Sequence, residues 1–416
     1  ELSGCRLRSF CYEHRMSNFV ETSRQGLGSR AKNSFGGILF GIVAVLLGVG
    51  LLFWNEGRSV KRYKDLKEGA GAVLEVGSDV VESAMEGKLI HLTGLAKTGS
   101  PVTDPVFGIT ESAIRLVREA EIYQWVEQVK TEEKKNVGGS VDKTKNYSYR
   151  QEWVGKPVNS SEFKVSNGHS NPAEMKYRSE SYQADTVTVG AFSLPQFLIS
   201  KISDSEAYLP SSLDKASPEV KASAKLVEDM VYFGASPEAP AVGDIRVSFS
   251  IIRPGPLSIV AQQKGSTLVE YSAKTGGSIA LLESGTLNSK EMFQLAQDRN
   301  KVLAWILRGG GFGLLVLGFG MILKPLAVIA DVLPFVGRLV SAGTGLVAFL
   351  LAGIVWTLTV GFAWIFYRPI FGIAIFVVTF LLIFFVFKKM KQMKKEPAVS
   401  SPQDSPPPLD TPPPLS

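Results

Sequence analysis

The sequence predicts an integral membrane α+β protein in which one N-terminal and three C-terminal transmembrane helices flank a large β-rich extracytoplasmic or lumenal domain. Three observations predict it. Mean hydropathy is positive, at +0.12, with only 20% of the 416 residues charged, so the 45% that are hydrophobic are bunched rather than spread through a water-facing globule. Apolar runs long enough to cross a bilayer stand near both ends of the chain. Between Arg58 and Lys301 there is no comparable run, and segments with period-two alternation take over.

Residues 1–15 read poorly as structure, and Met16 reads as a more natural start, so 1–34 is expected to be an N-terminal cytosolic segment whose first fifteen residues are a start-site artefact. Phe35 to Trp54 is uncharged over about 30 Å of helix and ends in Phe53-Trp54 without a cleavage site, which predicts an uncleaved anchor. The β-rich domain is then expected over 55–300. Its strands are read at Gly87–Thr93, Ile114–Val129, Tyr147–Trp153, Thr186–Leu194, Val242–Ile252, Leu257–Gln262 and Ser278–Leu282. Two helices interrupt it: Pro195–Lys201, and Pro218–Val231 capped by Ser217 with Pro218 at the first helical position. From Ser289 a helical pattern, capped within Ser289-Lys290-Glu291, leads into the second span, 301–324. Arg308, one turn inside that span, is expected to snorkel to the interface. The third span is expected at 339–361 and the fourth at 370–387, with Pro369 between them.

Orientation follows from Lys388, Lys389, Lys391, Lys394 and Lys395 beyond the fourth span, against the lone Arg368 in the loop before it. The positive-inside rule puts the C terminus, and with four spans the N terminus, in the cytosol. The segment 388–416 is basic, then Pro/Ser-rich with PPPL twice, and is expected to be a disordered tail able to engage a proline-motif-binding domain.

The motifs NEGR (Asn55–Arg58), EGKLIHLTG (Glu86–Gly94), YQWVE (Tyr123–Glu127), YSY with EW after it (Glu152-Trp153), GHSNP (Gly168–Pro172), VGDIRVSFS (Val242–Ser250) and WIFYRP (Trp364–Pro369) occur in that order. Together with the one-plus-three arrangement of spans they resemble the transmembrane protein 43 (LUMA) family across most of residues 35–387. The resemblance implies a non-enzymatic multi-pass scaffold or adaptor that organises membrane protein complexes through its large domain and through self-association. It also implies residence in the endoplasmic reticulum and inner nuclear membrane for a eukaryotic member, or in the plasma membrane for a bacterial one. The PPPL tail departs from the animal pattern. The alternative function is a lipid-binding or transport-linked membrane protein, and an apolar groove between domain and spans would favour it.

Motif residues supply the structural and interface candidates: Asn55, Glu56, Gly57, Arg58, Trp125, Trp153, Asp244, Trp364, Tyr367, Arg368 and Pro369. In the four-span topology Arg368 shares a membrane face with Glu56, and either Arg368 pairs with Glu56 or Arg58 and Arg368 separately contact lipid phosphates. Gly37 with Gly41, and Gly309 with Gly313, have GxxxG spacing and are the expected helix-packing positions.

The expected partners are membrane lipids, other membrane proteins and further copies of the chain. Nucleic acid is not expected, because an anionic leaflet lies next to the basic tail and gains ~1 kcal/mol per lysine. The chemistry of an enzyme is not legible. Cys5 and Cys11 are the only cysteines and His14, His91 and His169 the only histidines, which leaves a zinc site or a cysteine nucleophile without support. There is no GxSxG, Walker A or HExxH motif. Carboxylates such as Glu119, Glu121, Glu127, Glu132 and Glu133 are interleaved with basic residues as on a charged strand face. No catalytic residue, metal or cofactor is therefore expected.

Overall fold

A computed structural model describes residues 19–331 and 334–370 together with 377, 381 and 384, and the side chains within this set except those of 334–339 and 341. The expectations for residues 1–18, for most of the fourth span and for the basic and PPPL-bearing tail lie outside the described residues.

Three long helices, two large sheets and two small two-stranded sheets dominate the described residues. Helix α1 covers Leu27–Ala72, α4 Ser289–Ala330 and α5 Pro334–Tyr367; the short helices α2 (Gln196–Ile199) and α3 (Pro218–Ser223) belong to the domain. Among the described residues, three helices are long and apolar enough to cross a membrane: α1, α4 and the part of α5 from Ala342 to Tyr367. α1 does not stop at Trp54. Its 46 residues, about 69 Å at ~1.5 Å each, continue through the charged stretch 55–72. The sequence hides this stalk because Asn55, Glu56, Ser59 and Asp65 share its buried face with Val60, Leu66 and Gly69, so no apolar stripe marks it. α4 starts on a capping box: the Asn288 side chain accepts from the Glu291 N–H while the Glu291 carboxylate accepts from the Asn288 N–H. That cap lies one residue before the expected one. α3 is capped by Ser217 with Pro218 at its start, but it ends at Ser223, and 224–227 and 230–233 are β-strands instead.

The larger, antiparallel sheet has its main path through Phe19–Gln25, Val141–Val154, Arg115–Lys135, Ile245–Ile252, Met230–Phe233 and Ala224–Val227. Arg115–Lys135 and Val141–Val154 form a hairpin paired from Ile122↔Val154 to Lys135↔Val141, and Phe19–Gln25 adds an edge strand to its far end. The second sheet closes on itself, because Pro256–Lys264 pairs with Leu89–Thr98 as well as lying on the path through Thr267–Val269, Phe192–Ser193 and Val187–Val189. One face of each sheet contributes to a shared core. Leu116, Ala120, Ile122, Val247, Phe249 and Ile251 come from the first, and Ile90, Leu92, Val187 and Ile259 from the second. Alternation explains this: Ile245–Ile252 buries Ile245, Val247, Phe249 and Ile251 and turns Arg246, Ser248 and Ser250 the other way. Phe107 fills the centre, its ring 5.2 Å from that of Phe249 and 5.5 Å from that of Tyr177.

A second core joins domain to helices. Leu66 of α1 and Met292, Phe293 and Ala296 of α4 pack with Leu89, Val260 and Leu281 of the second sheet and with Ile279 of the small sheet formed by Tyr271–Ser272 and Ser278–Ile279. Each such fully buried side chain contributes about 1.5–3 kcal/mol. The helices therefore carry their fold from the apolar bundle into the domain without a break.

Candidate functional site

α1 and α4 run antiparallel, and their closest approaches fall at glycines. A Cβ on Gly41 would lie 2.7 Å from the Gly318 carbonyl oxygen; one on Gly311 would lie 2.6 Å from Leu52 Cγ. A Cβ on Gly48 would lie 3.1 Å from the Leu315 side chain and 3.2 Å from the Gly311 carbonyl oxygen. Gly37, Gly309 and Gly313 instead have no neighbour within 4 Å of where a Cβ would sit. The packing rows are thus Gly41/Gly48 and Gly311/Gly318, spaced by seven residues, or two turns, rather than by four. The expected GxxxG pairs contribute Gly41 alone, because on a helix that pairs along its length the seven-residue row faces the partner.

Where the apolar part of the bundle ends on the domain side, the NEGR motif forms a polar cluster. Glu56 is fully buried and is gripped by Arg308, Nε to Oε1 at 2.6 Å and NH2 to Oε2 at 2.9 Å. Trp364 of α5 donates its indole N–H to the same carboxylate at 2.9 Å, and Trp356 donates to the Arg308 carbonyl at 3.3 Å. The Arg308 guanidinium lies 4.7 Å from the Trp305 ring centroid. Asn55, also fully buried, donates to the Ala304 carbonyl at 3.0 Å. Asn300 donates to the Ser59 carbonyl at 2.9 Å and accepts from Arg58 at 3.1 Å. A bidentate arginine–carboxylate pair with its remaining acceptor capacity met by an indole is how a charge can be held in a bundle without stranding it.

One sequence expectation is corrected here, and one of two open alternatives falls away. Arg308 does not reach out to the interface: it is 8% exposed and turned inward onto Glu56. Arg368 does not meet Glu56; its guanidinium lies 6.0 Å from the Trp364 ring centroid, and its backbone N–H bonds to the Trp364 carbonyl. Glu56 and Arg308 each stand near the domain-side edge of an apolar run, and that shared depth was the available signal for the pair. Tyr367 lies over Gly57, where a Cβ would come within 2.7 Å of its ring, and stacks obliquely on Phe53 at 5.5 Å. Pro369 is exposed and begins the next helical residues after α5.

The domain candidates lie elsewhere and are not brought together with this cluster. The Trp125 ring meets His169 edge-on at 4.7 Å, while its backbone N–H and C=O are both bonded by Asn171 of the GHSNP motif. Trp153 stacks against Tyr123 and under Arg246, whose guanidinium is 4.7 Å from the ring centroid. Asp244 accepts from the Tyr232 hydroxyl at 2.5 Å and from the Ala241 N–H at 2.9 Å. Burial, and then that bond to Asp244, push the Tyr232 phenol well above its ordinary range. These contacts fix loops to the sheet. Sequence reasoning missed the ion pair inside the domain, where Arg118 bonds the fully buried Asp104 at 2.5 Å and Glu180 at 2.8 Å. Among the described residues no group of three or more His, Cys, Asp or Glu could hold a metal ion.

Beside the cluster a groove of about 970 Å³ opens between the α1–α4 stalk and the domain. Arg58, Lys61, Arg62, Lys201 and Arg299 line it, opposed by Asp65, Asp204 and Glu283, over a floor that includes Leu281, Ala296 and Leu303.

Comparison with known proteins fits this architecture. The transmembrane protein 43 profile matches residues 122–369. Transmembrane protein 43 of Homo sapiens is 34% identical over 372 residues, covering 86% of this chain and 91% of the human one. That of Mus musculus is also 34% identical, over 83% of this chain and 88% of its own. The homolog of Drosophila melanogaster is 30% identical over 80% of this chain and 89% of its own. No solved structure matches the chain. With a profile match over more than half its length and relatives aligned almost end to end, the chain belongs to the transmembrane protein 43 family.

Proposed function

We propose that the protein is a non-enzymatic membrane scaffold that organises membrane protein complexes through its β-rich domain and by self-association. The observation that carries this reading is the continuity of α1 and α4 from the apolar bundle into the closed sheet, sealed by the core around Leu66 and Phe293. Such a joint holds a two-sheet domain at a fixed height and angle to the bilayer, and a platform for partners needs that rigidity. The buried charges support the same reading, since Glu56, Asp104 and Arg308 are each satisfied by structural partners. The compartments we propose are the endoplasmic reticulum and inner nuclear membrane. The test is crosslinking in intact membranes from a photoreactive side chain at Val137, which is 80% exposed on the hairpin turn, followed by purification of the full chain. A discrete set of crosslinked membrane proteins, or a crosslinked second copy, is expected. A chain that is monomeric and without protein crosslinks would overturn the proposal. The alternative, an amphiphile-binding protein, gains support from the groove beside Arg58.

A further inference from the structure

We infer that the groove between the α1–α4 stalk and the domain is a binding site for one phospholipid of net negative headgroup charge, drawn from the leaflet on the domain side. This inference does not rest on the scaffold reading.

Its cations outnumber its acids by five to three. Arg299 and Glu283 hold each other at 2.5 and 2.8 Å, which leaves Arg58, Lys61, Arg62 and Lys201 against Asp65 and Asp204; the Asp65 carboxylate also accepts from the Thr275 hydroxyl. Lys61 is exposed and makes no ion pair among the described residues. Arg62 uses one nitrogen on the Ser278 carbonyl, and Arg58 has a buried Nε without a hydrogen-bond partner. An anion fits this surplus of donors.

The groove's position selects a lipid over a free phosphate. Arg299, Leu303 and Ile306 follow one another at i, i+4 and i+7 on a single face of α4. Leu303 is 43% and Ile306 63% exposed, so the cationic groove opens within about one helical turn onto an apolar stripe facing outward from the bundle. A headgroup phosphate at Lys61 and Arg62 would leave its acyl chain lying along Leu303 and Ile306. A soluble phosphate has no use for that stripe.

The test uses the full-length chain in mild detergent, titrated with dioleoylphosphatidylglycerol and read by native mass spectrometry. Dioleoylphosphatidylcholine and glycerol phosphate serve as the other two probes. In Lys61→Gln/Arg62→Gln the apparent affinity for phosphatidylglycerol is expected to fall about tenfold or more, at roughly 1 kcal/mol per basic residue near a headgroup. Lys64→Gln/Lys67→Gln removes the same charge from exposed positions of the same helix that do not line the groove, and there the change is expected to stay within about twofold. Lys61→Gln alone, at an exposed side chain without an ion pair, is expected to show a smaller loss and keeps the test open should the double variant fold poorly. Equal losses in the two double variants, or none in the groove variants, would overturn the site. Phosphatidylcholine bound as tightly as phosphatidylglycerol would overturn the anionic preference, and glycerol phosphate bound as tightly as the lipid would overturn the lipid source.

Discussion

The two ends of the helix bundle each bury a carboxylate, and they treat it differently. On the domain side Glu56 finds every partner within the three helices: Arg308 of α4 and Trp364 of α5. At the far end Asp331, 1% exposed, takes Arg30 of α1 at 2.6 Å and Lys135, from the end of the β hairpin, at 2.8 Å. The first arrangement is complete inside the bundle and is indifferent to what surrounds it. The second ties the domain to the opposite end of the apolar stretch, and that tie makes a demand on the surroundings which the first does not.

The largest predicted effect tests that demand. Beyond Ile122 the hairpin reaches about 43 Å at ~3.3 Å per residue, which exceeds the ~30 Å of a hydrocarbon core. It must do so for its end to touch Arg30 and for its strand 141–147 to pair with 19–25. Gln128–Lys134 are all exposed and include Lys130, Glu132, Glu133 and Lys134. Even with Lys130 paired to Glu132 and Lys143 to Glu133, placing such charges in hydrocarbon costs ~2.5–3.5 kcal/mol each, against ~0.2–1 kcal/mol for each cross-strand pair gained with Phe19–Gln25. The exposed apolar face of α1, with Leu39 67%, Phe40 71% and Leu46 65% exposed, argues equally that the bundle sits in lipid. In a bilayer the edge strand is therefore expected to part from the hairpin. Cysteines at Ser23 and Lys143, register partners in the sheet, should crosslink in detergent but react with an impermeant reagent from opposite membrane faces. Labelling from the same face would show that the pairing persists and that the two segments share one side.

Next in size is the domain-side pair. Removing one partner strands a buried charge, so Arg308→Ala should cost about 3–5 kcal/mol of stability, read as a large drop in thermal midpoint in detergent. Exchange of the charges, Glu56→Arg with Arg308→Glu, should recover part of that loss. A single variant as stable as the parent would mean that Glu56 is not the buried anchor of the bundle.

Asp331 should matter less, because Lys135 belongs to the hairpin that a bilayer displaces. Burial pushes its carboxyl up, but hydrogen bonds from Lys135 and Arg30 outweigh that and hold it below the ordinary range. A depressed folded value means the contribution is fully present above about pH 4 and is lost as pH falls through the folded value. Asp331→Asn should cost about 1–3 kcal/mol in detergent at neutral pH, and the gap from the parent should close on acidification. A gap that stays constant with pH would rule out an ionised Asp331 as its source.

The contrast also explains what was legible. The apolar runs and the alternating strands are local patterns, so the helices, the β-rich domain and strands such as Ile245–Ile252 could be read directly. The NEGR and WIFYRP motifs marked residues that do meet, in Glu56 with Trp364 and Gly57 with Tyr367. What could not be read was partner choice over hundreds of residues. Arg308 and Arg368 are both single cations near the domain-side edge of an apolar run, and only the rotation of α4 against α1, set by Gly41, Gly48, Gly311 and Gly318, turns Arg308 inward. The stalk 55–72 was missed for another reason: its helix is stabilised by the core around Leu66 and Phe293 rather than by its own periodicity.

The smallest effect is expected at Arg368 and is the sharpest check on that choice. Its guanidinium is partly exposed, and its ring contact is Trp364, at the 6.0 Å limit of a useful cation–π distance. Loss of such a contact at an exposed site costs about 0.5–1 kcal/mol, so Arg368→Glu should lower the thermal midpoint in detergent only slightly. The decisive comparison is between exchanges. Glu56→Arg with Arg368→Glu should be as unstable as Glu56→Arg alone, because the new arginine then faces Arg308 with no anion within reach, whereas the exchange with Arg308 should rescue. Should the Arg368 exchange rescue and the Arg308 exchange fail, α4 would have to be rotated relative to α1, and the seven-residue glycine rows that fix their contact would fall with it.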